Sequence, residues 1–209
     1  MMLDTVFVPA SEKNSRRLMV VLHGLGDSVA GYEWMPQAMR LPWMNYLLVN
    51  APDDYFGGYS WYDFEGDAGT GIHRSRQLLF ELLDGFRVKG FATEQTVLFG
   101  FSQGCLMTLE IGLRYPHRLA GLVGVSGYAH EPETALRELS PVALEQRFLI
   151  THGTADPLIP IPKVREQIAS LKSAGLKIEW REFAKVHTIA GEEELDVIRK
   201  FVCDGFNAN

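Results

Sequence analysis

The sequence has few cysteines, no long hydrophobic run and no excess of basic residues. Its two cysteines, Cys105 and Cys203, are too few to form a disulfide framework. No apolar run approaches the roughly 20 residues that a membrane-spanning helix needs. Residues 1–9 carry no basic cluster ahead of an apolar stretch, so a signal peptide is not expected. These features predict a soluble, cytoplasmic protein that is not an integral membrane protein.

The charge balance is mildly acidic, with 20 Lys and Arg against 26 Asp and Glu and a net charge of −6. Because proteins that bind nucleic acid present a basic surface to the phosphates, nucleic acid is not expected as a partner. The 209 residues fit one domain, residues 1–209. A chain of this length can bury a core that needs no metal or disulfide for stability.

Short apolar runs alternate with longer segments of helical periodicity. The predicted strands cover residues 17–23, 46–49, 96–100, 119–125, 148–151 and 177–183. The predicted helices cover residues 72–89, 103–115, 161–174 and 191–202. This alternation predicts an α/β fold in which a mostly parallel sheet carries helices on both faces. Ligands of such folds bind beyond the carboxyl ends of the strands.

A candidate nucleophile lies between the strand at 96–100 and the helix that follows. The sequence there is Gly100-Phe101-Ser102-Gln103-Gly104, a G-x-S-x-G motif in the strand–turn–helix context that this motif requires. The sharp turn would expose the Ser102 hydroxyl above the sheet. The alternative is a glycine-rich turn with an exposed serine that has no catalytic role.

The partners of the serine follow from chain order, since triads on this kind of fold run Ser, then Asp or Glu, then His. Asp156 is the aspartate between Ser102 and the last histidine, His187, and both partners follow predicted strands. A glutamate acid stays open, with candidates at Glu131, Glu133, Glu145, Glu166, Glu179 and Glu182. The alternative for Asp156 is an ordinary turn residue before a proline. The alternative for His187 is an ordinary surface histidine.

Backbone amides would stabilise the oxyanion of a tetrahedral intermediate. One donor on this fold is the residue after the nucleophile, here Gln103, and the other lies in the loop after the first main strand. In that loop, the Leu25 amide is the candidate. His23 and Asp27 precede Ser102 in the chain, so we interpret them as braces of this loop rather than triad members.

Residues 53–65 are rich in aromatic side chains, namely Tyr55, Phe56, Tyr59, Trp61, Tyr62 and Phe64. They predict an apolar wall near the site that would suit an acyl chain or an aromatic ester. Trp61 and Tyr62 are the predicted substrate-binding residues. The alternatives are aromatic packing beneath a long loop or a subunit contact in a homodimer.

Several motifs together resemble the phospholipase/carboxylesterase family of α/β-hydrolases. They are HGLGD at 23–27, SWYD at 60–63, GFSQG at 100–104, HGTADP at 152–157 and the late His187. This family includes acyl-protein thioesterases and small bacterial carboxylesterases. The resemblance implies a serine esterase without cofactor, metal or large cap domain. It also implies the triad Ser102, Asp156 and His187 and the oxyanion residues Leu25 and Gln103.

The sequence departs from the family pattern at two positions. Cys105 stands where a second glycine often follows the motif, and Val186 stands where a glycine usually precedes the catalytic histidine. The β-branched Val186 restricts the backbone, so we expect the His187 loop to differ in shape.

The predicted function is hydrolysis of small or lipid-like carboxylic esters through an acyl-enzyme on Ser102. One alternative is an acyl-protein thioesterase or lysophospholipase. Another is a non-catalytic binding protein on the same fold, because a fold does not determine a function.

Overall fold

The computed structural model describes residues 2–207 and is built around a seven-stranded sheet. The strands are β1 (Thr5–Val8), β2 (Arg17–Leu22), β3 (Met44–Val49), β4 (Asp53–Tyr55), β5 (Gly58–Ser60), β6 (Thr96–Phe101), β7 (Gly121–Val125), β8 (Arg147–Gly153) and β9 (Lys177–Phe183). Strands β4 and β5 form a separate hairpin, and the other seven form the central sheet.

Six α-helices are present in the described part of the chain. They are α1 (Met35–Met39), α2 (Ala68–Val88), α3 (Gln103–Arg114), α4 (Pro132–Arg137), α5 (Ile161–Ser173) and α6 (Glu192–Asn207). Single turns of 3-10 helix lie at Val29–Tyr32, Thr93–Gln95 and Ala143–Glu145. Within residues 2–207, no helix combines the length and the apolar character needed to cross a bilayer.

The spatial order of the strands is β1-β3-β2-β6-β7-β8-β9. Strand β1 pairs antiparallel with β3, and every other pair in the sheet is parallel. After β3 the chain crosses to the other side of β2 and continues outward from β6. The strand order therefore reverses between β2 and β6, and the crevice beyond their carboxyl ends is where an open α/β sheet binds its ligand.

The core consists of two apolar layers, one on each face of the sheet. Strand β2 shows why: Leu18, Val20 and Leu22 belong to one layer, whereas Met19 and Val21 belong to the other. Helices α2, α3, α4 and α5 contribute to the first layer, and α1 and α6 to the second. Because successive side chains of a strand point to opposite faces, a strand buried on both faces must be apolar throughout.

This architecture confirms the predicted mostly parallel sheet with helices on both faces. All six predicted strands and four predicted helices are present, with ends that differ by a few residues; α6 continues to Asn207. Strand β1, the β4–β5 hairpin and the short helices α1 and α4 were not predicted. Strand β1 is an exposed edge of four strand-favouring residues, Thr-Val-Phe-Val, and like the other elements it is too short to show a periodicity.

Candidate active site

Ser102 occupies a strained turn between β6 and α3. Its backbone angles are φ 53° and ψ −113°, a region that side-chain-bearing residues rarely adopt. A Cβ atom at Gly100 would collide with the carbonyl of Gly104, and one at Gly104 would collide with that of Leu22. The two glycines of the motif are therefore required by the close approach of three backbone segments.

The structure brings Ser102, His187 and Asp156 into one hydrogen-bonded chain. The Ser102 Oγ lies 2.9 Å from His187 Nε2, and His187 Nδ1 lies 2.7 Å from Asp156 Oδ2. The Asp156 side chain is fully buried, whereas that of His187 keeps 14% of its exposure. In this arrangement the imidazole can accept the serine proton at Nε2 while Nδ1–H donates to the carboxylate.

Asp156 is held by the turn that follows β8. Its Oδ1 accepts hydrogen bonds from the backbone N–H groups of Leu158 at 2.9 Å and Ile159 at 3.0 Å. Burial alone would raise the pKa of Asp156. The Ile159 amide, His187 and the Leu158 amide outweigh it and hold the pKa below its ordinary value. Asp156 is thus a carboxylate at neutral pH. Among the described residues, no glutamate is hydrogen-bonded to His187.

Leu25 and Gln103 line the same cavity as Ser102. Neither backbone amide has a hydrogen-bond acceptor within the described part of the chain. The Gln103 side chain is fixed: its Oε1 accepts from the Trp61 backbone N–H at 2.9 Å, and its Nε2 donates to the Tyr62 carbonyl at 3.1 Å. Two free amides beside the nucleophile are what an oxyanion hole requires.

His23 braces the loop that carries Leu25. Its Nε2 accepts a hydrogen bond from the Ala51 N–H at 3.0 Å, so its proton lies on Nδ1, which donates to the Gly24 carbonyl at 2.6 Å. Burial lowers the pKa of His23, which favours this neutral form. Asp27 accepts from the Ser28 N–H at 2.7 Å. Both side chains have the bracing role predicted for them.

A cavity of about 440 Å³ opens above Ser102. Its apolar lining residues are Leu25, Tyr55, Tyr62, Phe64, Phe101, Tyr128, Leu158 and Ile159. Of the two predicted substrate-binding residues, Tyr62 lines this cavity, and its hydroxyl lies 3.2 Å from that of Tyr128. Trp61 does not line it.

Trp61 is fully buried. Its indole N–H donates to the His23 carbonyl at 2.9 Å, and its ring lies against the imidazole of that histidine. Leu158 and Ile159 were not predicted as site residues. Leu158 and Ile159 directly follow the Asp156-Pro157 turn, which is a signal that could have indicated them.

Comparison with known proteins places this site in a family. The sequence model of the phospholipase/carboxylesterase family matches residues 3–204. The chain is 35% identical over 159 residues to acyl-protein thioesterase 1 of Schizosaccharomyces pombe, covering 68% of this chain and 69% of that protein. This chain belongs to the phospholipase/carboxylesterase family. It is therefore a carboxylic ester hydrolase with the α/β-hydrolase fold.

Solved structures agree with this family assignment. The crystal structure of esterase PE8 superposes with a TM-score of 0.84 at 28% identity, covering 98% of this chain and 99% of that one. The carboxylesterase of Bacillus cereus superposes with a TM-score of 0.82 at 18% identity, covering 98% and 95%. At the latter identity, the likeness concerns the fold alone.

With both departures from the family pattern present, Ser102, His187 and Asp156 lie within hydrogen-bonding distance. Val186 has no positive φ, and its side chain is 54% exposed, so its β-branch is accommodated outward. Cys105 is fully buried, and the space for its Sγ exists because residues 124 and 127 are glycines. Burial raises the pKa of the Cys105 thiol to about 12. A thiol with that pKa is inert as a nucleophile.

His152 orders the turn that presents Asp156. Its Nε2 lies 2.9 Å from the Ile159 carbonyl, and its ring stacks on Trp180. Burial lowers the pKa of His152, so the ring is neutral and Nε2–H donates to that carbonyl. Within residues 2–207, no group of three or more His, Cys, Asp or Glu side chains is placed to hold a metal ion.

Proposed function

We propose that this family member cleaves its esters through an acyl-enzyme on Ser102. The observation that carries the proposal is the continuous chain from Ser102 Oγ through His187 to the buried Asp156 carboxylate, at 2.9 and 2.7 Å. A serine hydroxyl is a poor nucleophile at neutral pH and needs such an adjacent, oriented base.

In the first half of the reaction, His187 Nε2 takes the Ser102 proton as Oγ attacks the ester carbonyl. The oxyanion then accepts hydrogen bonds from the Leu25 and Gln103 amides. His187 returns the proton to the departing alkoxide, which leaves an acyl group on Ser102. In the second half, His187 deprotonates a water that attacks this acyl group, and the proton finally returns to Ser102.

The acyl part of the substrate would lie in the cavity of about 440 Å³ above Ser102. Its aromatic and aliphatic wall favours a hydrocarbon chain or an aromatic group, since burying each methylene contributes about 0.8 kcal/mol. A second cavity of about 310 Å³ also borders His187 and is lined in part by Trp34 and Thr188. We assign the leaving group to this second cavity.

A fluorophosphonate probe tests the proposed nucleophile. An activated serine displaces fluoride from phosphorus and forms a stable phosphonyl ester, and peptide mass spectrometry locates the added mass. We expect labelling on Ser102 that is lost in His187→Ala, because the base that activates the hydroxyl is then absent. As a control, His130→Ala should label at the unaltered rate, since no triad member contacts His130. Absence of labelling in the unaltered protein would contradict the proposal and favour a binding protein.

Thioester hydrolysis is a second candidate function, favoured by several relatives named acyl-protein thioesterase 1. The same triad cleaves both bonds, because the acyl-enzyme is identical and the leaving groups differ in one atom. Matched octanoyl oxygen esters and thioesters would distinguish the two. The ratio of kcat/KM for the thioester to that for the oxygen ester is compared with the same ratio of their hydroxide-catalysed rates. An enzymatic ratio more than tenfold above the hydroxide ratio would establish the second candidate.

We further propose a cytoplasmic location. Both cysteines in the described part of the chain are free, with Cys105 buried and Cys203 partly so. Free thiols persist in reducing compartments, which supports this location.

A further inference from the structure

A buried ion pair lies beside the catalytic histidine and takes no part in the proton transfers described above. Lys185 Nζ lies 2.6 and 2.7 Å from the two carboxylate oxygens of Glu194. The exposed fractions of the two side chains are 3% and 0%. Burying two charges costs desolvation free energy that their attraction repays only with excellent geometry, so this pair is weak evidence for stability alone.

The Glu194 carboxylate binds more than the lysine. It also accepts hydrogen bonds from the backbone N–H of Ala190 at 2.6 Å and from the hydroxyl of Thr151. Thr151 belongs to β8, and Glu194 itself lies in the first turn of α6. One carboxylate therefore joins β8, α6 and both ends of the segment 185–190, which carries His187 near its middle.

The same lysine also links this segment to the turn of Asp156. The Lys185 carbonyl accepts a hydrogen bond from the Ala155 N–H at 3.2 Å. At Gly153, any Cβ would collide with that carbonyl. The acid and the base of the triad thus lie on two loops that meet at the backbone of Lys185.

We propose that the Lys185–Glu194 pair positions His187 against Ser102 and Asp156. The inference rests on the proposed role of His187 as the base. The pair fixes the segment two residues before the histidine, at Lys185, and three residues after it, through Ala190, which restricts where the imidazole ring can lie. Lys185 and Glu194 are positioning residues, because neither touches the reacting atoms.

A double variant separates positioning from stability. Lys185→Met alone leaves an unpaired buried carboxylate, and Glu194→Gln alone leaves an unpaired buried ammonium, so both should unfold at lower temperature. The double variant Lys185→Met/Glu194→Gln removes both charges. The amide oxygen of the glutamine can accept from the Ala190 N–H, and its NH₂ group can donate to the Thr151 hydroxyl oxygen. The double variant should recover most of the unfolding temperature.

In the double variant we expect kcat for an oxygen ester to fall roughly 10- to 100-fold with KM within about twofold, since a misplacement near 1 Å costs about that much in rate. The rate constant of fluorophosphonate labelling should fall by the same factor, because it depends on activation of Ser102 and not on a leaving-group contact. Arg76→Met, which breaks a partly buried pair with Glu110 at 2.9 Å between α2 and α3, should leave kcat unchanged.

A double variant that folds as well as the unaltered protein and keeps its kcat within twofold would overturn the inference. A failure of the proposed function is a different outcome, since the unaltered protein would then fail to label on Ser102. A double variant that does not fold would assign the pair a structural role and would likewise overturn the inference.

Discussion

In the Ser102→Ala variant we expect kcat for hydrolysis of p-nitrophenyl acetate to fall by about 10⁶-fold, because the nucleophile of the acyl-enzyme is missing. The fold should persist, since alanine keeps the Cβ atom and removes a hydroxyl whose hydrogen-bond partner in the structure is His187. Initial rates at saturating ester and the unfolding temperature are the measurements. Activity above about a hundredth of the original rate would contradict the assignment of Ser102 as the nucleophile.

A Ser102→Gly variant is the matched control for the strained backbone. At φ 53° and ψ −113° a Cβ atom is unfavourable, and this strain is the same for serine and alanine. Glycine relieves this strain in the folded state. It also gives the unfolded chain more conformational freedom, so the net change in the free energy of unfolding is the strain relieved minus this entropic cost. We expect Ser102→Gly to be more stable than Ser102→Ala by about 1 kcal/mol in urea unfolding, with both inactive. Equal stabilities would mean that the turn stores no strain.

The elements that could be predicted from the sequence are those buried on both sides. Strand β2 shows a continuous apolar run because an apolar layer covers it on each face of the sheet. Helix α5 shows one apolar stripe that ends before Gly175. Strand β1 gives only a four-residue signal, Thr-Val-Phe-Val. It is an edge strand with exposed Val6 and Phe7, and its pairing with β3 depends on contacts some 40 residues away in the chain.

The hydrogen-bonded arrangement of Ser102, His187 and Asp156 was predictable for a different reason. Chain order and strand ends restrict a catalytic acid and base to a few positions, and the fold then brings those positions to one edge of the sheet. Chain order does not restrict in the same way which residues line the cavity. Tyr62 reaches it while its neighbour Trp61 points into the core, and Tyr128 enters from the segment after β7. Which of two adjacent aromatic residues faces the substrate depends on packing that a sequence pattern does not contain.

The Asp156→Asn variant should lower kcat by about 10⁴-fold while the triad residues stay in place. In the structure Oδ1 already accepts from the Leu158 and Ile159 amides, so the asparagine oxygen must keep that position. Its NH₂ group then faces His187 Nδ1, which must be an acceptor. The imidazole proton moves to Nε2 and points at Ser102 Oγ, so the ring cannot take the serine proton.

The measurement is kcat at neutral pH together with the unfolding temperature. Asp204→Asn is the matched control, since this carboxylate pairs with Lys200 at the exposed end of α6, and it should keep full activity. The unfolding temperature of Asp156→Asn should change little, because the two backbone hydrogen bonds to Oδ1 are retained. If Asp156→Asn kept more than a tenth of the rate, another carboxylate would have to orient His187. Glu182 is a poor substitute, since its carboxylate is engaged by Arg165 and Trp180.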